Sequence, residues 1–478
     1  MATFLKIVVL ILTLSLGWIS PSEARKTPPL RVPLAASQIN LDPSQIQDQS
    51  SLWVSRHLNC QLIRYERSQV VLDAAEKIEF QGEKIIRFRL KSGLRFNNGS
   101  EIKSADVKAS FELLRTKRHI HRNIFQWVKK IELHNDQELS FELNAPTPQF
   151  LKVLAAPTYA LFSSDFIRRT SNHPELWRDP VGCGQYRIQQ SHSKANELLL
   201  APMIEGQRPI LFSLLGRNEI SPTELKNFDL VGIPVQGTSP DLKLFEQVNL
   251  FDPYQIFIAL NSQLPRWSQV KNRCDFLKSL NKAQLLSHYP AGTEQAQDLI
   301  PRGVIGYRPR TPSTPTPFYA NYSEICVEAL GVSVPQSLLP AYSELLSGAA
   351  QTIETRILKD PVNMGSQFRK SKCDAFVFGL KSNYLDGFEY LQLFTDPNAN
   401  PTGYTHLELS NSIKKSQDIS DPAQRAEQYQ KISDQINQAC LLEPLVLSPF
   451  KRVFIRKGIV ARELGIGPLN SYYLGAVQ

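Results

Sequence analysis

Apolar and polar side chains alternate from Ile85 to Leu90 (IIRFRL), the period of a strand with one buried face. Lys91-Ser92-Gly93 interrupts the alternation, Leu94 to Phe96 resumes it, and Asn97-Asn98-Gly99-Ser100 has turn composition. Ser104 then stands at a helix N-cap position, with Asp106 in the first turn. Val107, Phe111 and Leu114 lay an apolar stripe along the helix. Earlier in the chain, Leu30 to Ala35 reads as a first strand and Ser50 to Leu62 as a helix. Val128–Leu133 and Glu138–Leu143 alternate on either side of a polar tetrapeptide, which predicts a hairpin. Tyr254–Asn261 and Asp374–Gly379 are near-continuous apolar runs of the kind buried on both faces. A helix opens at Asp421-Pro422, with the acid as N-cap and proline at the first helical position. Leu445–Leu447 and Phe450–Ile455 close the pattern as strand segments.

At 478 residues the chain exceeds what one compact core accommodates, so two or more lobes are expected. The 42% hydrophobic and 21% charged content is that of a globular protein, which excludes a disordered or membrane-embedded chain. The net charge of +9 is spread along the sequence and forms no massed patch, so no nucleic-acid partner is indicated. The apolar run Ile7–Leu16 follows Lys6 and precedes small residues at Ser22 and Ala24. This is the layout of a secretory signal peptide cleaved near Ala24. No comparable run follows, and no cysteine lies near the cleavage site, so the reading is an exported, soluble protein without a lipid anchor.

Cys60, Cys183, Cys274, Cys326, Cys373 and Cys440 remain in the mature chain. In an oxidising compartment they permit up to three disulfides in any of fifteen connectivities, and free buried thiols are the alternative. Their spacing, and that of the histidines, matches no zinc site. GxSxG, HExxH, P-loop and GxGxxG motifs are all missing, so no catalytic residue, metal ligand or cofactor is assigned.

The segment FRLKSGLRFNNGSEIKSADVKASFELL resembles the signature of the extracellular solute-binding proteins of family 5, the oligopeptide and dipeptide class. Phe88, Leu90, Gly93, Phe96, Gly99, Ala105, Asp106, Val107 and Ser110 carry that resemblance. Pro180-Val181-Gly182-Cys183-Gly184-Gln185-Tyr186 resembles the family's "P-V-G-T-G-P-Y", where the glycines are expected to supply positive φ for a sharp turn. Asp421-Pro422…Arg425…Tyr429 resembles its "D-P-x-x-R-x-x-L-Y" helix. The resemblance implies an α/β fold: a two-lobed periplasmic-binding-protein clamshell with an extra subdomain in the first lobe and two hinge strands. Residues 25–256 plus 450–478 would form the first lobe and 257–449 the second, with hinges near Phe257–Asn261 and Val446–Arg452 lying side by side. It implies a monomer that takes a peptide-like or other small solute and delivers it to the permease subunits of an ABC importer. A ligand-sensing receptor of the same fold and a secreted hydrolase are the competing classes.

Ligand chemistry is expected after the strand Asp374–Gly379, where the resemblance implies contacts from Leu380, Asn383, Tyr384 and Asp386. In the peptide binders an aspartate there pairs with the ligand's α-ammonium group, and Asn383 stands at the matching position. An amide supplies only a weaker hydrogen bond to a buried cation. The expected ligand therefore lacks a free α-ammonium group or is anchored differently.

Overall fold

The computed structural model describes residues 28–474, apart from 47, 67–68, 117–122, 190–195, 218, 236–239, 311–314, 317–321, 332, 360–363, 383–384, 460–463 and 467–471. The expected signal peptide and most of the Thr311–Pro317 run lie outside these residues.

Two long strands organise the fold. Phe245–Leu260 and Leu442–Arg456 pair antiparallel along almost their whole length. One end belongs to a core built around Leu30, Val32, Trp53 and Phe212, to which the strands contribute Val248, Leu250, Val453 and Ile455. The other end is buried on both faces. Ile256, Ile258 and Leu260 pack with Trp267, Phe276 and Tyr342, while Phe257 and Ala259 pack with Phe378, Tyr390 and Tyr429. The strands thus leave one core and enter another, as expected of crossing strands lying side by side. Their register breaks between Phe251 and Tyr254, opposite Ser448 and Phe450. Pro253 and Pro449 lie in this stretch, and a proline cannot donate to the ladder. A second irregularity falls between Ile256 and Phe257, opposite Val446 and Pro444, and beyond it Phe257–Ala259 is paired on both sides.

These strands lie in a mixed seven-stranded sheet. Ala375–Lys381 pairs antiparallel with Phe245–Leu260, and Tyr322–Leu330 and Ala350–Leu358 extend the sheet in parallel. A four-stranded sheet at the other end holds Leu30–Leu34, Ile210–Leu214, Glu197–Pro202 and Tyr186–Ile188. A third sheet contains the predicted hairpin, Val128–Asn135 with Glu138–Leu143, together with Ile85–Leu90 and Ala75–Gln81. Its buried face packs Phe88 and Phe141, together with Phe150 of helix Phe150–Leu154, in one core with the stripe Val107, Phe111 and Leu114 of helix Ser104–Thr116.

Local details depart from the sequence reading. Leu94–Phe96 forms no strand; Arg95 makes only an isolated bridge to Glu101, between Gly93 and Gly99, both at positive φ. Ser104 is the first helical residue and its hydroxyl donates to the Asn135 carbonyl. Asp106 does the capping instead, accepting from the Lys103 N–H at 2.8 Å and the Ser164 N–H at 2.7 Å. Gly182 and Gly184 do not adopt positive φ. They are needed for space: a Cβ on Gly184 would lie 2.3 Å from the His57 carbonyl oxygen, and one on Gly182 2.1 Å from that of Leu58. The Asp421 cap is as expected, accepting from the Gln424 N–H at 2.7 Å.

All six cysteines are paired, as Cys60–Cys183, Cys274–Cys440 and Cys326–Cys373. The second fastens helix Val270–Ser279 to the residue at the end of helix Pro422–Gln438, just ahead of the second crossing strand.

Candidate functional site: a buried polar layer at the strand crossing

Polar groups meet where the third sheet's subdomain faces the large sheet. Gln149, just ahead of helix Phe150–Leu154, donates from Nε2 to the Tyr429 hydroxyl at 3.3 Å. Tyr429, on helix Pro422–Gln438, donates in turn to Asp386 Oδ1 at 2.6 Å. Arg425 lies one helical turn earlier on the same helix face and donates from Nε to Asp386 Oδ2 at 3.2 Å. The Phe388 N–H completes the set on Oδ1 at 3.1 Å. Asp386 is fully buried, and its charge is held by a guanidinium, a phenol and a backbone amide together.

Burial, with the Asp386 carboxylate adjacent, pushes the Tyr429 phenol well up, so it remains a donor. Tyr65 behaves alike: burial raises its phenol, with Glu389 and then Asp386 adding to the effect. Lys152, on the same helix as Phe150, is pulled down by burial and held up by Asp386 and Glu389 across the layer. Glu389 accepts from the Ser382 hydroxyl at 2.5 Å. Tyr65 Oη and Gln149 Oε1 are buried and engaged by no protein group among the described residues. The layer therefore offers a hydroxyl and an amide oxygen beside a strongly charged wall.

A second cluster sits on the crossing itself. Lys381, the last residue of its strand, is ion-paired with Asp252 in the pairing break of Phe245–Leu260. Lys451 lies on the other crossing strand, opposite Leu250. Its ammonium group is pushed down to about 7 by burial and by the positive charge of Lys381, against the pull of Asp252. Lys381 is lowered by burial, with Asp252 opposing. Asp252 thus acts on both Lys381 and Lys451 where the strands pass between the cores.

Of the residues expected to touch ligand, Asn383 and Tyr384 lie outside the described residues. Leu380 is half-buried against the core of Phe257 and Phe378, opposite Gln255. Asp386 has both oxygens occupied by the chain, which gives it a positioning role in the wall. Sequence reasoning passed over Tyr65, Gln149, Lys152, Asp252, Lys381 and Lys451. An acid followed by proline inside an apolar strand was the one local signal, at Asp252. Arg425 and Tyr429 stood in the resemblance as helix markers, with nothing to show that both reach Asp386.

Among the described residues, no group of His, Cys, Asp and Glu side chains is arranged to hold a metal, and no helix is long and apolar enough to cross a membrane.

Two cores joined by a pair of crossing strands, with a polar layer between them, make a two-lobed α/β architecture. The model of the bacterial extracellular solute-binding proteins, family 5 middle, matches residues 69–201 of this chain. Provisionally named ABC transporter peptide-binding proteins of Brucella ovis and Brucella abortus are 21% identical over 263 residues, covering 50% of this chain and 49% of theirs. The match thus spans about half the length of those curated relatives. Among solved structures, the dipeptide binding protein from Pseudoalteromonas sp. SM9913, in complex with Met-Leu, superposes with a TM-score of 0.79 at 14% identity, covering 94% of this chain and 99% of that one. The binding protein AgaA from A. tumefaciens R10, in complex with agropinic acid, gives a TM-score of 0.74 at 16% identity, covering 94% and 98%.

Proposed function

We propose that this protein is exported, captures a small solute between its two lobes and presents it to the permease subunits of an ABC importer. The crossing of Phe245–Leu260 and Leu442–Arg456 from one core into the other carries the reading, because such a pair lets two lobes rotate while staying connected. The lobes comprise residues 25–256 plus 450–478 and residues 257–449, and the pairing break at Phe251–Tyr254 is the pivot. A solute touching both walls shifts the population towards the closed form. The protein acts as a monomer without a cofactor and performs no chemistry on the solute. Processing near Ala24 removes the leader and leaves no lipid anchor, which the intact mass of the exported protein tests.

Asn383 bears on the solute class. With an amide at the position where the peptide binders have an ammonium-pairing aspartate, ordinary free peptides bind poorly, and modified peptides, oligosaccharides or other amphiphilic solutes are preferred. Calorimetric titration with a mixed di- to pentapeptide library tests this. Micromolar binding that weakens on N-acetylation would show the preference to be wrong. Small-angle scattering tests capture itself: a bound solute contracts the radius of gyration, and a solute that binds without contraction refutes lobe closure.

A further inference from the structure

On the basis of the capture reading, a further role falls to the neck of the subdomain. The chain leaves the core of Val54 and Leu58 and enters that of Leu62 and Ile63, and it returns through Val181 and Cys183 to Tyr186 in the first core. The Cys60–Cys183 disulfide joins the outgoing pass to the returning one. The Gly184 N–H donates to the Leu58 carbonyl at 2.9 Å, and the Leu161 N–H to that of Cys60 at 2.9 Å. Gly182 and Gly184 leave no room for even a methyl group between the two passes. The same subdomain places Gln149, 1% exposed, on the Tyr429 hydroxyl. We propose that the neck holds the subdomain to the first lobe as one body and that Gln149 is its closing residue: rotation of the first lobe brings Gln149 against Tyr429, and this contact sets the balance of open and closed forms without touching the solute.

The polar groups at this seam are divided in a way that suits release. The donors to Asp386, namely Arg425, Tyr429 and the Phe388 N–H, come from its own side and stay with it when the subdomain withdraws. Gln149 then gives up one hydrogen bond of 3.3 Å, longer than the usual range. In exchange Gln149 Oε1 and Tyr65 Oη, both buried and without a protein partner among the described residues, regain water. A stranded polar atom costs at least as much as a typical hydrogen bond contributes, so the contact by itself does not hold the lobes shut. A seam that never opened would be expected to satisfy both atoms. Lys152 on the subdomain feels Asp386, Arg425 and Glu389 across the same seam, and Tyr65 feels Glu389 and Asp386. Closure is therefore a narrow choice, which a solute touching both lobes decides.

The test uses the full mature protein, free of solute, with spin labels on pairs of introduced cysteines at exposed positions. Glu132→Cys with Lys415→Cys spans the seam, and Glu132→Cys with Glu205→Cys spans the neck. With Gln149 in place, the seam pair should show two separations and the neck pair one. Gln149→Glu puts a charge where closure excludes water, and its carboxylate competes with Asp386 for the single Tyr429 proton. At neutral pH it should shift the seam pair towards the longer separation by about tenfold or more. Acidification to about pH 5 should reverse the shift, because burial favours the protonated Glu, which donates to Tyr429 as the amide did. Tyr429→Phe removes the acceptor and should shift the seam pair about three- to tenfold at either pH. If the variants lower the melting point and leave both separations as they were, Gln149 is only structural and the proposal is overturned, with capture by closure still standing. A neck pair that changes along with the seam pair overturns the single-body subdomain and the proposal with it. One seam separation common to every variant also overturns it; capture fails as well only if no solute contracts the protein in scattering.

Discussion

Gln149 and Tyr429 are 280 residues apart in sequence and hydrogen-bonded at 3.3 Å, and through Tyr429 the third sheet's subdomain is tied to the buried Asp386 beside the large sheet. The contact ends in a buried carboxylate that cannot do without its donors, so it ties the subdomain to the integrity of the core around Phe257 and Phe378.

Tyr429→Phe removes a donor from a fully buried carboxylate oxygen and should cost about 1–3 kcal/mol in denaturant unfolding. Asp386→Asn should cost more, about 3–5 kcal/mol, because it leaves the Arg425 guanidinium buried without its counter-charge. Equal losses for the two variants would show that the ion pair adds nothing beyond the hydrogen bonds.

Gly184→Ala should be among the most destabilising single-methyl additions in the chain. The new Cβ would lie 2.3 Å from the His57 carbonyl oxygen and 2.5 Å from the Asn59 nitrogen, and these backbone atoms cannot swing aside. A loss of about 1–3 kcal/mol is expected for such overpacking. By contrast Gly348→Ala, with open space around it, should leave the melting point within about a degree or two.

No thiol should react with an alkylating agent before reduction, since all six cysteines are bridged. Replacing both Cys274 and Cys440 by alanine opens a cross-link between residues 166 apart and should cost about 5 kcal/mol on the chain-entropy account. Alkylation followed by intact mass, and denaturant unfolding of the double variant, check the two halves of this expectation.

Stability should fall on mild acidification through His57. Burial pushes its imidazole down to about 4, with Arg56 adding to the effect and the Trp53 carbonyl, which accepts from Nδ1 at 2.8 Å, opposing it. The unfolded chain takes up this proton near pH 6.5 while the folded protein resists until about pH 4. Stability is therefore undiminished above pH 6.5 and is lost progressively as the pH falls towards 4, by up to about 3 kcal/mol. His57→Gln should flatten that part of the curve; an unchanged slope would assign the acid sensitivity to other groups.

The sequence by itself determined what is decided within a few residues. Alternation at Ile85–Leu90 and at the hairpin, the stripe on Val107, Phe111 and Leu114, the Asp421 cap and the buried character of Tyr254–Leu260 all follow from side-chain period and local capping, and the structure has them. The glycines at 182 and 184 were legible as special positions but not for their reason, because the carbonyls of His57 and Leu58 that crowd them come from a distant segment. Only the tertiary structure decided which cysteines pair, where the register of the crossing strands breaks, and that Asp386 is claimed by Arg425 and Tyr429. The polar layer belongs to the same class: Gln149, Lys152, Asp252, Lys381 and Lys451 are unremarkable charged or amide side chains in sequence. They acquire meaning because chain crossings bring them together out of water, where a charge must find its partner.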